Sequence, residues 1–343
     1  MPKNYFDEIF SNVAYDLNIP YVFHRARYDR IPDDCDHIGI TFWNGEFDQH
    51  IKLVNTLLPK TKKLLIFVPE PVSPDAFMHF VTELESDSRV VVIGNAILNF
   101  KTLLNYTTLP NWFISLENYY VTKNWAKNLL DRLDFDYAKP KKFDCLLGTA
   151  RPHRTFISHC YQNSAYSNDI IFTFFKNKVA DGRWAFDIQS SAFTAEEISF
   201  DGETGRVSCI LPVDIYNESH YSIVAETTVS NHYSHFTEKT AKPLVARRPF
   251  VMFAGQYFLR NLRQLGFQTF GAIIDESYDT IADDTERFTA AWAQVERLCQ
   301  LEPTAVLSQL ESVLLHNQQH FLNTNWYTAL RHTVKIHCAA QAD

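Results

Sequence analysis

Two charged segments of the chain have residue types that could bind an anionic ligand. The first is RPHR, residues 151–154, in which Arg151 and Arg154 flank Pro152 at the start of a predicted helix. The N-terminus of a helix favours a phosphate through its dipole, and arginine adds forked hydrogen bonds to the same oxygens. A surface-charged helix start is the alternative interpretation. The Gly-rich phosphate loops GxxxxGK[ST] and GxGxxG are absent from the sequence.

The second segment is HFTEKTAKPLVARRPFVMFAG, residues 235–255. Thr237 can act as the N-cap of a helix whose first turn contains Glu238 and Lys239. Glu226 lies twelve residues before Glu238, at the end of a predicted strand, where an acid can bind ribose hydroxyls. Each acid taken alone is explained by capping or by solvation. Taken together with RPHR, these residues predict a nucleotide-diphosphate site.

Short apolar runs that alternate with helix-compatible segments predict the elements that must position these residues. Runs rich in Val, Ile and Phe indicate buried parallel strands joined by helices. In the first part of the chain these runs are IPYVFH, HIGITFW, KLLIFVPEP, RVVVIGNAI and NWFISLEN. In the second part the predicted strands are FDCLLGTA, DIIFTFF, SIVAETTV and RPFVMFAG, with RPHRTFISHCYQ and FLRNLRQLG as helices. From Asp283 onward, apolar residues at i, i+3 and i+4 predict helices.

The pattern predicts an α/β protein with two domains and a helical C-terminal tail. A chain of 343 residues is longer than one hydrophobic core usually supports. The polar stretch around residues 119–142 marks the boundary. The predicted ranges are an N-terminal α/β domain at 1–138, a C-terminal nucleotide-binding α/β domain at 139–282, and the tail at 283–343. We expect the ligand in a cleft between the domains, outside the carboxyl ends of the strands.

Composition and residue patterns argue against several classes of protein. With 46% apolar residues and only 10 Gly, the chain is globular rather than disordered or fibrous. Six cysteines without a CxxC pair and thirteen histidines without HExxH predict neither a disulfide framework nor a zinc site. The net charge of -8 argues against a non-specific nucleic-acid binder. No apolar run is long enough for a membrane span and the start lacks a signal-peptide layout, so we expect a cytoplasmic protein.

Residues 221–255 resemble the signature region of the α-1,3-fucosyltransferase-like family. That signature is roughly Tyr-x-Phe-x-x-x-Phe-Glu-Asn-Ser, a short gap, then Tyr-x-Thr-Glu-Lys and a later Pro-Val strand. The residues at matching positions are Tyr221, Glu226, Thr237, Glu238 and Lys239. The pattern departs at Phe-Glu-Asn-Ser, where residues 225–228 read AETT. A further run, LRQLGFQTFGAIIDESYD, is similar to segments of phage-encoded and bacterial glycosyltransferase-like proteins.

The resemblance implies a GT-B fold, in which two Rossmann-like domains face a cleft and the second domain binds a nucleotide-diphosphate sugar. A GDP-sugar or a UDP-sugar would then be the donor, and a hexosyl or pentosyl group would pass to an acceptor hydroxyl with inversion and without an obligatory metal. By the same resemblance, Glu238 would hold the ribose and Lys239 the pyrophosphate. Arg154 or Arg151 matches the arginine that meets the phosphates.

An inverting transfer needs a general base near the acceptor hydroxyl, and we expect it at the end of a strand in the first domain. A cleft can raise the pKa of a carboxylate in such a position. Each candidate taken singly is more often an ordinary loop or capping acid. The candidates are Glu46, Asp48, Glu70 and Glu117.

Two alternatives stay open beside transfer to a carbohydrate acceptor. The first is a DNA-modifying glycosyltransferase that acts on a hydroxymethylated base. For that acceptor, the basic residues at 139–142 (KPKK) and 247–248 (RR) could line a track for the phosphate backbone. The second is a non-catalytic protein with a GT-B-like frame, which the AETT departure and the lack of one obvious base suggest. The sequence predicts no particular oligomeric state.

Overall fold

In the computed structural model the chain forms two compact units, each assembled from separate stretches. Unit 1 comprises Met1–Ser115, His232–Phe236 and Asn325–Asp343. Unit 2 comprises Leu116–Asn231 and Thr237–Thr324. The structure describes residues 5–22, 31, 34–42, 47–69, 74–85, 87–122, 127–135, 138–178, 184–188, 198–200, 203–205 and 207–339.

Strands and helices are numbered along the chain. The strands are β1 (Tyr21–Val22), β2 (Cys35–Thr41), β3 (Thr61–Val68), β4 (Val90–Gly94), β5 (Ala96–Leu98), β6 (Asn105–Thr108), β7 (Lys141–Thr149), β8 (Ile170–Lys178), β9 (Trp184–Ile188), β10 (Ile198–Phe200), β11 (Glu203–Gly205), β12 (Ser219–Ala225), β13 (Tyr233–His235) and β14 (Phe250–Phe253). The α-helices are α1 (Tyr5–Asp16), α2 (Phe47–Leu57), α3 (Pro74–Leu84), α4 (Asn111–Glu117), α5 (Lys127–Asp131), α6 (Pro152–Asn163), α7 (Val213–Glu218), α8 (Glu238–Val245), α9 (Phe258–Gln264), α10 (Asp284–Gln300), α11 (Pro303–Asn323) and α12 (Trp326–Ala339).

Unit 1 contains a parallel sheet in the order β1-β2-β3-β4-β6. Its central strands β3 and β4 are buried except at Lys62, and residues 64–68 and 90–93 are apolar without interruption, as expected for strands with both faces covered. Helices α2 and α3 supply Val54, Leu57, Phe77 and Phe80 to the same core. Two late segments of the chain complete the unit. Strand β13 pairs antiparallel with β5, and in α12 the carbonyl of His337 accepts a hydrogen bond from Lys63 Nζ at 2.5 Å.

Unit 2 contains a sheet in the order β14-β12-β7-β8-β9, parallel except for the antiparallel β9. The chain runs from β7 through α6 to β8 on one side of β7. It later runs from β12 through α8 to β14 in the opposite direction. The strand order therefore reverses between β7 and β12, which makes this pair the topological switch point of the sheet.

The mixed α/β architecture with parallel sheets confirms the coarse fold prediction. The runs HIGITFW, KLLIFVPEP, RVVVIGNAI, FDCLLGTA, DIIFTFF, SIVAETTV and RPFVMFAG contribute to β2, β3, β4, β7, β8, β12 and β14. The strand predicted at NWFISLEN is wrong, because Asn111–Glu117 is the helix α4. Every residue of that helix is buried, so its sequence carries no alternation that separates a strand from a helix.

The two units do not coincide with the predicted ranges 1–138, 139–282 and 283–343. Residues that follow Ser115 belong to unit 2, where the Tyr120 hydroxyl donates to the carbonyl of Cys209 at 3.0 Å and accepts from the N–H of Leu211 at 2.9 Å. The predicted tail is also divided, with α10 and α11 in unit 2 and α12 in unit 1. Within the ranges given above, no helix is both long and apolar enough to cross a membrane.

Candidate functional site

Three segments of unit 2 meet at the carboxyl ends of β7 and β12. They are the start of α6 after β7, the loop after β12, and the start of α8. Helix α6 begins at Pro152, and its N-cap Arg151 has an extended backbone and no capping side-chain hydrogen bond. In open α/β sheets, ligands bind in the crevice at such a switch point. The hydrogen bonds of Glu226 join all three segments.

The carboxylate of Glu226 ties the loop after β12 to α8. Its Oε1 accepts from the Thr237 N–H at 3.1 Å and from the Thr240 hydroxyl at 2.5 Å. Its Oε2 accepts from the Thr227 N–H at 3.1 Å and from the Thr237 hydroxyl at 2.5 Å. Glu226 is fully buried. Burial raises the pKa of this carboxyl, whereas the charge of Lys239 and the threonine hydrogen bonds act in the opposite direction.

The backbone carbonyl of Glu226 ties the same loop to α6. It accepts from His153 Nε2 at 2.8 Å and from Arg154 Nη2 at 3.2 Å, and both side chains are buried. Burial, helped by the charge of Arg154, lowers the pKa of His153 to about 3, so the ring is neutral and donates through Nε2–H. Burial and the charge of Arg151 lower the pKa of Arg154 to about 10, which still leaves it charged at neutral pH.

Thr237 caps α8 as the sequence predicts. Its hydroxyl accepts from the Lys239 N–H at 3.3 Å. The Lys239 ammonium donates to Glu238 Oε1 at 2.5 Å and to the Thr227 hydroxyl at 3.1 Å, and its side chain is 25% exposed. Burial acts to raise the pKa of Glu238, but the charges of Lys239 and Lys242 outweigh it, so this pKa lies below its ordinary value.

Two cations of the site are bonded to adjacent residues, Arg154 to the carbonyl of Glu226 and Lys239 to the hydroxyl of Thr227. Arg154, Arg151 and Lys239 all lower the pKa of His153 through their charges, so they lie within electrostatic reach of one ring. The N-terminus of α6, which has no side-chain cap, adds backbone N–H groups, and both helices add favourable dipoles. The arrangement can bind a phosphate or a diphosphate. In the described part of the chain, no group of three or more His, Cys, Asp or Glu side chains could hold a metal ion.

Six of the residues predicted for nucleotide binding come together here. They are Arg151, Arg154, Glu226, Thr237, Glu238 and Lys239. Tyr221 does not join them, because it is fully buried inside β12 with its ring centroid 5.2 Å from that of Phe143. It precedes Glu226 by five residues, which corresponds to about 16 Å along an extended strand. Tyr221 is therefore a core residue of unit 2.

The candidate bases are less well defined. Glu46 and Glu70 lie outside the described residues. Asp48 lies in α2, where its backbone but not its side chain is described. Glu117 is buried at the end of α4 and belongs to unit 2, not to the first domain as predicted. A π-helix, Asn118–Thr122, follows it directly.

Sequence reasoning missed the supporting residues Thr227, Thr240 and Gly255. A Cβ atom on Gly255 would lie 1.9 Å from the carbonyl oxygen of Ser230, so the loop after β12 packs directly on the end of β14. A glycine straight after a buried strand is a signal of such a close backbone approach. Thr240 lies three residues after Thr237 on the same helix face, a spacing that also could have been noticed.

The basic residues considered for a DNA track are engaged inside unit 2. Arg248 is buried in an ion pair with Asp144. The three lysine ammonium groups donate to backbone carbonyls: Lys139 to Asp134 and Tyr216, Lys141 to Asn168, and Lys142 to Leu301. Arg247 lies over the ring of Phe135, 4.8 Å from its centroid.

Comparison of the chain with protein-family models and with curated proteins finds no match to either.

Proposed function

We propose that this protein is a nucleotide-sugar-dependent glycosyltransferase that binds the diphosphate of its donor at the switch point of unit 2. The observation that carries the proposal is that Arg154 and Lys239 donate hydrogen bonds to the adjacent residues Glu226 and Thr227, beside the starts of α6 and α8 at the carboxyl ends of β7 and β12. Arginine forks and a lysine ammonium suit the oxygens of a diphosphate.

In this proposal Lys239 and the start of α6 bind the phosphates, and Glu238 accepts hydrogen bonds from the ribose hydroxyls. Glu238 is suited to that role because its pKa lies below the ordinary value, so it is ionised and accepts only. The resemblance to the α-1,3-fucosyltransferase-like family adds a GT-B arrangement and inverting transfer. The general base belongs to the proposal as well, with Glu46, Asp48, Glu70 and Glu117 as its candidates.

A carbohydrate hydroxyl is the acceptor that the contacts favour over a base in DNA. A DNA backbone needs cations that are available to its phosphates. Arg248 is buried in its ion pair with Asp144 and therefore cannot reach a DNA phosphate. Weak dependence of acceptor binding on salt is the expected result, and a steep dependence would favour DNA.

Thermal unfolding in the presence of UDP, GDP, ADP, dTDP and their sugars tests the proposal. At a ligand concentration of about 100 times Kd, binding should raise Tm by about 5 °C or more. Lys239→Met should abolish most of that shift. Lys127→Met, which changes an exposed lysine of unit 2, is the matched control and should keep it. A panel without any stabilisation contradicts the proposal.

Turnover separates an enzyme from a binding protein. Incubation of the stabilising nucleotide sugar with glycan acceptors should release free nucleoside diphosphate, and the release should fall in Lys239→Met. Binding without release of the diphosphate, with or without acceptor, would instead support a non-catalytic GT-B-like protein.

A further inference from the structure

Glu226 has a hydrogen-bond pattern that suits a carboxylate and no other side chain. Each of its two oxygens accepts one backbone N–H and one threonine hydroxyl. A hydroxyl can rotate and become an acceptor, but a backbone N–H can only donate. The amide of a glutamine can be placed in two orientations here. In one its NH2 group, a donor, would face the N–H of Thr227, and in the other it would face the N–H of Thr237.

Two of the three threonines that donate to this carboxylate, Thr227 and Thr237, also accept hydrogen bonds from Lys239. Thr237 accepts the Lys239 N–H and so fixes the start of α8, and Thr227 accepts from the Lys239 ammonium at the other end of the side chain. Glu226 thus holds two of the three residues that locate Lys239, the third being Glu238. Because Glu226 is fully buried, it cannot touch a ligand directly.

We infer that Glu226 is a positioning residue, whose carboxylate sets the place of the Lys239 ammonium and thereby the phosphate affinity of the site. This inference rests on the proposed function for its ligand. It differs from the prediction that Glu226 binds the ribose, since the side chain acts through Thr227, Thr237 and Lys239.

A double-mutant cycle on the purified full-length protein tests the inference with the nucleoside diphosphate that stabilises it most. By calorimetry, Glu226→Gln should weaken binding about tenfold, because a buried donor loses its acceptor and Lys239 loses its fixed position. In a Lys239→Met background the same change should weaken binding less than about twofold. Equal losses in both backgrounds would overturn the inference.

Thr227→Val supplies a milder variant in case Glu226→Gln does not fold. It removes one of the two acceptors of the Lys239 ammonium but keeps the N–H that Glu226 binds. Its loss of affinity should likewise vanish in the Lys239→Met background, and a loss that persists there contradicts the inference. Thr240→Val is the structural control, since it removes a hydroxyl bond of Glu226 that does not lead to Lys239.

Hydrogen exchange without any nucleotide separates this inference from the proposed function. In Glu226→Gln, the amides of Thr227 and residues 237–239 should exchange about tenfold faster or more, since one lost hydrogen bond opens the start of α8. Unchanged exchange would overturn the positioning role even if nucleotides bind. Faster exchange in a protein that binds no nucleotide would support the positioning of Lys239. That result would contradict only the proposed glycosyltransferase function.

Discussion

Arg248 and Asp144 form a buried ion pair in which the guanidinium Nη2 lies 2.6 Å from the carboxylate Oδ2. Both side chains are only 4% exposed. Ser219 and Ser222 donate their hydroxyls to the same Oδ2, and Arg248 donates further to the carbonyls of Tyr216, Ser219 and Tyr221. The pair thus joins the start of β12 to β7 and to the turn before β14.

We expect Arg248→Met to lower the free energy of unfolding by about 3–5 kcal/mol, because it leaves the buried Asp144 carboxylate without its cation. Urea unfolding of unit 2 measures the effect. Arg132→Met is the matched control, since the pair of Arg132 with Asp214 is exposed, and it should cost less than about 1 kcal/mol. Similar losses in the two variants would contradict a special role for the buried pair.

Tyr221→Phe tests whether Tyr221 is a core residue or a ligand-binding residue. Among the described residues, the Tyr221 hydroxyl is buried without a hydrogen-bond partner. Its removal should leave stability unchanged or raise it by about 1 kcal/mol, since no bond is lost and a desolvation cost disappears. Nucleotide affinity should stay within about twofold of the unchanged protein. A tenfold weaker nucleotide affinity in a folded variant would show that Tyr221 belongs to the binding site.

Gly255→Ala should destabilise unit 2 by about 1–3 kcal/mol or more, because the new methyl group would overlap the backbone carbonyl of Ser230. The loop after β12 would have to move, so the nucleotide-dependent thermal shift should shrink as well. Gly271→Ala is the control, because a Cβ atom there meets Glu276 at an ordinary 3.5 Å. Differential scanning calorimetry with and without nucleotide measures both effects. Equal melting temperatures for the two variants would count against the close approach.

His153 should make the fold sensitive to mild acid. Its pKa is lowered from the ordinary 6.5 to about 3 in the folded protein, chiefly by burial. Between those values the unfolded chain binds a proton that the folded protein does not, so stability falls as pH falls from 6.5 towards 3.

The expected loss for this one group is about 1.4 kcal/mol per pH unit within that window. The variant for comparison is His153→Gln, whose amide can still donate to the Glu226 carbonyl but does not titrate. Subtraction of the two urea-unfolding curves at each pH isolates the contribution of His153. Parallel curves for the two proteins would show that His153 titrates normally.

The sequence predicts those parts of the protein that depend on neighbours along the chain. The apolar runs predict β2, β3 and β7 because buried parallel strands are continuously apolar. Thr237 is predictable as an N-cap because its partner, the Lys239 N–H, lies two residues away. Arg151 and Arg154 are predictable because they accompany Pro152 at a helix start.

The remaining features depend on contacts between distant residues. Glu226 meets Thr237 and Thr240 only after the chain has turned through β13, so the sequence suggests an exposed ligand residue where the fold buries a carboxylate. Helix α4 is buried on all sides, and therefore its pattern resembles that of a strand. The pairing of β13 with β5 joins residues more than 130 positions apart, and no local pattern signals it.

The strands β1 to β6 of unit 1 precede every strand of unit 2 in the chain, yet the unit also contains β13 and α12, which are made much later. A ribosome adds about 5–20 residues per second, so the first sheet strands wait on the order of ten seconds or more for α12. Until β13 is made, β5 lacks its partner strand, and until α12 is made, Lys63 lacks the carbonyl of His337. Unit 1, whose first strands emerge before any strand of unit 2, is thus completed only after the strands of unit 2. Its unpaired edge is the surface that a chaperone would need to shield on the nascent chain.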